Sequence, residues 1–173
     1  MQTDHWNAFP KFQEHYPRLG IPSDALMLKP VEVMLLRHDS LVADVWTVPC
    51  YAKLENGVLV EELDLEDPWF PDGAYSILFS TDPTTCRPLA YTYRLFVDRN
   101  QTPRPMNMCA YETFDQPWAG NIVLAKYSKA SSLERLSFIN LPRHESELML
   151  NMIAEWLTII WRRVYGLPIL PYP

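Results

Sequence analysis

Glu55, Glu61, Glu62, Asp64, Glu66, Asp67, Asp72 and Asp82 follow one another between Lys53 and Arg87 with no lysine or arginine among them. Carboxylates at that density can hold a divalent cation or meet a basic partner. The spacing does not suit a cation: an EF-hand loop alternates its ligands around a glycine and closes on a glutamate, and Leu65, Pro68 and Trp69 break that order. Inside the run, Trp69-Phe70 lies between Pro68 and Pro71, and an apolar anchor ringed by charge is how a protein interface is often built. The expectation is therefore a non-enzymatic protein-binding surface of Glu61, Glu62, Asp64, Glu66, Asp67, Trp69, Phe70 and Asp72, suited to a basic protein partner. Self-association as a homodimer remains open beside it. The plainer alternatives are solvated strand edges for the carboxylates and a core plug for the two aromatics.

Other residue types give less. His5 and His15 lie in the N-terminal arm, His38 in a loop and His144 before a helix, so no histidine pair has metal-ligand spacing. His38-Asp39-Ser40 has the residue types of a hydrolase triad, but sequence neighbours cannot converge into its relay. Cys50, Cys86 and Cys109 form no Cys-x-x-Cys pair, and only Cys86, beside Arg87, has a cation next to it to lower a thiol pKa. The isolated glycines make neither a phosphate loop nor a dinucleotide fingerprint. No metal or cofactor is expected. Arg87, Arg94, Arg99 and Arg104 interleave with Tyr91, Tyr93 and Phe96 as single-strand nucleic-acid binders do, but the chain carries a net charge of −6, which argues against nucleic acid and against an anionic membrane surface.

These residues need elements to hold them. Glu145 to Tyr165 reads as one long amphipathic helix: Met149, Ile153, Trp156, Ile160 and Val164 recur at three and four residues, Leu148, Met152, Leu157, Ile159 and Trp161 widen the apolar arc, and Asn151, Glu155, Thr158 and Arg162 form a narrow polar stripe. Between residues 31 and 141 the period is two. Expected strands are Val31 to Arg37, Leu41 to Val48, Cys50 to Glu55, Val58 to Leu63, Ala74 to Ser80, Pro88 to Asp98, Met106 to Phe114 and Ile122 to Tyr127, with Leu133 to Leu141 either a last strand or a helical lead-in. Pro49 should bend or end its strand, and Asn56-Gly57 marks a tight type I′ hairpin. The first 30 residues, rich in proline and aromatics, form an irregular arm with short helical turns, one from Ser23 through Leu28.

The predicted architecture is α+β in a single domain of 173 residues: an arm over 1–30, a β-rich body over 31–141, and a helix over 142–166. The body is a curved antiparallel meander sheet of about seven or eight strands packed on that helix. A sheet curved over a helix can enclose a cavity, which Tyr75, Phe79, Tyr91 and Tyr93 would line. The alternative function is then a small-molecule-binding protein or a cyclase-like or isomerase-like enzyme, with Asp44 and Glu112 as the inward acids to inspect. Three scattered cysteines fit reduced thiols, no apolar run opens the chain, and Glu155 interrupts the most apolar segment. Those features predict an intracellular, cytoplasmic protein with no membrane span.

Overall fold

The computed structural model describes residues 12–16, 26–65, 69–102, 104–128 and 137–165. In chain order the elements are β1 (Phe12–Tyr16), β2 (Leu26–Leu36), β3 (Asp44–Glu55), β4 (Val58–Leu63), β5 (Ala74–Thr81), β6 (Pro88–Asp98), α1 (Met108–Phe114), β7 (Ile122–Tyr127), β8 (Phe138–Ile139) and α2 (Arg143–Tyr165). All strands pair antiparallel in the order β1-β5-β6-β7-β2-β3-β4, with β8 beside β7. This is the α+β architecture expected: a curled antiparallel sheet and one long C-terminal helix. Among the described residues no helix is long and apolar enough to cross a membrane.

Two short meanders, β2-β3-β4 and β5-β6-β7, lie side by side because β7 pairs with β2 through Met34–Leu124, Leu35–Val123 and Leu36–Ile122. Side chains alternate across a strand, so neighbours in β2 enter different cores. Met34 and Leu36 join Ile77, Phe79, Leu95, Leu124 and the α2 residues Met149, Ile153, Trp156 and Ile160 on one face. Val33 and Leu35 join Val48, Leu63, Phe70, Phe96, Val123 and Phe138 on the other. β7 is central to both, and all six of its residues are buried.

Several expectations are corrected. The strand expected over Met106 to Phe114 is a short helix, because Asn107 caps it: its Oδ1 accepts the Ala110 N–H at 2.9 Å, and its Nδ2 donates to the Leu36 and Gly120 carbonyls at 2.8 and 2.7 Å. Pro49 does not end β3. It faces Pro30, and its carbonyl points away from β2 to accept the Asp64 N–H at 2.9 Å. The missing proline N–H thus falls on the side where β4 has already stopped at Leu63. The arm is not wholly irregular, since Phe12–Tyr16 pairs with β5. Leu26 to Leu28, given to a helical turn, belongs to β2, while Ser23 lies outside the described residues. Of Leu133 to Leu141, Phe138–Ile139 is a strand and residues 133–136 lie outside the described residues. Leu148, placed in the helix's apolar arc, is 79% exposed, because the buried stripe of α2 runs through its neighbour Met149 instead.

Candidate functional site

The described carboxylates of the acidic run do not present one surface. Glu61 turns inward from β4 and is enclosed by donors: Ser137 Oγ at 2.8 Å, the Phe138 N–H at 2.7 Å, Lys29 Nζ at 3.5 Å and Cys50 Sγ at 3.6 Å. Burial, then that carboxylate, pushes the Cys50 thiol up to about 12. Glu62 is half-buried and paired with Lys53 at 2.5 Å. Asp72 pairs with Arg104, which also holds the buried Asp98 at 2.9 Å through Nε. Burial pushes the Asp98 carboxyl up, against the lowering pull of its hydrogen bonds. Phe70 is 2% exposed and fills the second core. Glu66 and Asp67 lie outside the described residues. Asp64 and Trp69 are left half-buried, on the walls of a cleft.

That cleft, of about 530 Å³, opens between the start of β3 and the segment after β4. β3 supplies Trp46, 38% exposed, whose ring meets Trp69 edge to face at 5.8 Å between centroids. The β2–β3 loop supplies Arg37, His38 and Asp39. The Arg37 guanidinium lies 5.4 Å from the centre of the Trp46 ring and bonds Asp39 Oδ2 at 2.5 Å. That hydrogen bond first, with the guanidinium charge behind it, holds the Asp39 carboxyl below the usual range. Asp64 forms no ion pair among the described residues.

The back of the cleft is fixed by Asn121, 6% exposed at the entry to β7. Its Oδ1 accepts the His38 backbone N–H at 3.0 Å, and its Nδ2 donates to the Trp69 carbonyl at 3.3 Å. With the amide held in that sense, the 3.2 Å contact of Oδ1 with His38 Nδ1 requires Nδ1 to donate, which leaves Nε2 as the acceptor of the neutral ring. One buried side chain thereby ties the Trp69 backbone to the loop that carries Arg37.

The aromatics assigned to a cavity between sheet and helix sit in the packed first core. Phe79 stacks on Tyr93 at 5.7 Å and tilts against Trp156 at 5.0 Å. Tyr75 packs against the same cluster, half-buried. Lys126 Nζ lies 3.8 Å from the centre of the Tyr91 ring. Asp44 pairs with Arg143 at the start of α2, beside a smaller hollow of about 240 Å³, and Glu112 is exposed on α1. Asp44 and Glu112 are thus surface acids. Among the described residues no three histidine, cysteine or carboxylate side chains are grouped to hold a metal ion.

Sequence reasoning reached Asp64 and Trp69 but missed Trp46, Arg37 and Asn121. Trp46 reads as one more apolar strand residue, and its signal is its neighbourhood: it shares a strand face with Asp44 at the start of β3, after the loop that carries Arg37, His38 and Asp39. Asn121 is brought to His38 by the β2–β7 pairing, which leaves no local mark. Compared with family models, with curated proteins and with solved structures, the chain gives no match.

Proposed function

We propose that this domain binds another protein in the cytoplasm, taking a side chain of its partner into the cleft between Trp46 and Trp69. The observation that carries this reading is the edge-to-face tryptophan pair at an open cleft, with one ring on a sheet strand and the other on a residue whose backbone is tethered through Asn121. Rings held in place before a partner arrives lose little freedom on binding, and aromatic anchors of this kind account for most of the free energy at many interfaces. The carboxylates contribute less than their number implies, because Glu61, Glu62 and Asp72 are already engaged within the fold.

The test is affinity capture with the full chain, comparing the unmodified protein with Trp46→Ala and Trp69→Ala after thermal melts establish that each variant is folded. A partner retained by the unmodified protein and lost from both variants supports the reading. The same set of proteins retained by all three overturns it.

A further inference from the structure

We infer that the cleft recognises an arginine side chain of the partner, and that Arg37 occupies its place until the partner arrives. This rests on the protein-binding reading above and names its chemistry. The chain itself displays the geometry: a guanidinium 5.4 Å from the centre of the Trp46 ring, bonded at 2.5 Å to Asp39. Stacking on an indole while bonding a carboxylate is what a planar guanidinium does and a lysine ammonium does less well.

Charge favours the exchange. Asp39 and Asp64 line the cleft against the single guanidinium of Arg37, and Asp64 is without an ion pair among the described residues. With Arg37 turned out to solvent, Asp39 and Asp64 are left on the walls of the cleft with the exposed Trp46 ring, and an incoming arginine restores the ring and carboxylate contacts that Arg37 gave up. Arg37 is easily displaced. Its side chain is 40% exposed and that of Asp39 49% exposed, and pairs so open to water are weak. The loop need not move as a whole, because the His38 backbone and ring stay bonded to Asn121.

The experiment follows the indole N–H resonances of Trp46 and Trp69 in the full chain during titration with the acetylated tripeptide amide Gly-Arg-Gly. Gly-Lys-Gly and Gly-citrulline-Gly are titrated in parallel, citrulline keeping the shape of arginine without its charge. The expected result is movement of both indole signals with the arginine peptide, weaker binding of the lysine peptide and none of the citrulline peptide. Arg37→Gln should tighten the arginine peptide by about three- to tenfold, the range set by losing one exposed cation–π contact and one exposed ion pair. Arg162→Gln makes the same change in net charge on α2, across the sheet, and should leave the affinity as it was. Equal binding of the lysine or citrulline peptide overturns the assignment. So does an Arg37→Gln variant that binds no tighter, or an Arg162→Gln variant that binds equally tighter. A partner captured through Trp46 and Trp69 with none of these responses leaves the protein-binding reading standing and removes arginine from it.

Discussion

Replacing Glu145 by leucine takes away the anion that two buried donors share. Lys126 Nζ reaches Glu145 Oε2 at 2.6 Å, and the Tyr93 hydroxyl donates to Oε1 at 2.6 Å, which joins the first turn of α2 to β6 and β7. The lysine side chain is 8% exposed and the glutamate 19%. Burial first, then the hydrogen bond to Glu145, pushes the Tyr93 hydroxyl well above its ordinary range, so it stays a donor throughout the working pH range. Breaking a buried pair from one side strands the other charge, at a typical cost of about 3–5 kcal/mol, and the partial exposure of Glu145 puts this case near the lower bound, at about 3 kcal/mol. With a urea m-value of about 2 kcal/mol/M, the unfolding midpoint should fall by about 1.5 M. The triple variant Tyr93→Phe, Lys126→Met, Glu145→Leu removes both donors with the acceptor and should lie within about 1 kcal/mol of the unmodified protein. Urea titrations followed by tryptophan fluorescence and far-ultraviolet circular dichroism measure both. A loss under about 1 kcal/mol for Glu145→Leu, or a triple variant no better than the single one, would refute the argument that the cost comes from a stranded charge.

Two further outcomes can be checked on the same protein. In the native state iodoacetamide at pH 8 should label Cys86, which is exposed, and spare Cys50 and Cys109, which are fully buried. Raising the pH to 9 should not recruit Cys50, because its thiol keeps its proton up to about 12; mass spectrometry of the labelled peptides reads this directly, and native labelling of Cys50 would count against the burial of the second core. Gly57 and Gly120 both have positive φ, +79° and +73°, but a Cβ at Gly57 meets open space, whereas one at Gly120 comes within 2.7 Å of the Asp98 Cβ. Gly57→Ala should cost about 1 kcal/mol and Gly120→Ala more than about 2 kcal/mol by urea denaturation, and equal losses would contradict that packing.

What could be read from the sequence was what local pattern controls. The alternation from Leu89 to Val97 lies within β6, and Asn56-Gly57 turns with the two positive φ angles, 49° and 79°, that its residue types favour. The periodicity of Met149, Ile153, Trp156 and Ile160 reports a real buried stripe on α2. What could not be read depended on partners far along the chain. A glutamate in a hairpin strand looks solvated until Lys29 and Ser137 are found around it, 32 and 76 residues away. Asn107 reads as a strand residue until the Leu36 carbonyl, 71 residues off, is found to anchor it and the helix it caps. The cleft has the same origin. Its two tryptophans are separated by β4, and the asparagine that ties the Trp69 backbone to the loop of Arg37 comes from the entry to β7, a strand paired with β2 from far along the chain.

The pairing of β7 with both β6 and β2 bears on how the chain is made. Synthesis proceeds from the N-terminus, so the β2-β3-β4 and β5-β6 hairpins are complete before residue 122 exists. Until then the inner edges of β2 and β6 have no strand between them, and each shows a row of unsatisfied backbone groups beside apolar side chains. A nascent chain halted in that interval is a pair of sticky half-sheets, open to each other in the wrong register and to other nascent chains nearby. The arrival of Ile122 to Tyr127 satisfies both edges at once, so this short segment is what turns two aggregation-prone ribbons into a single protein.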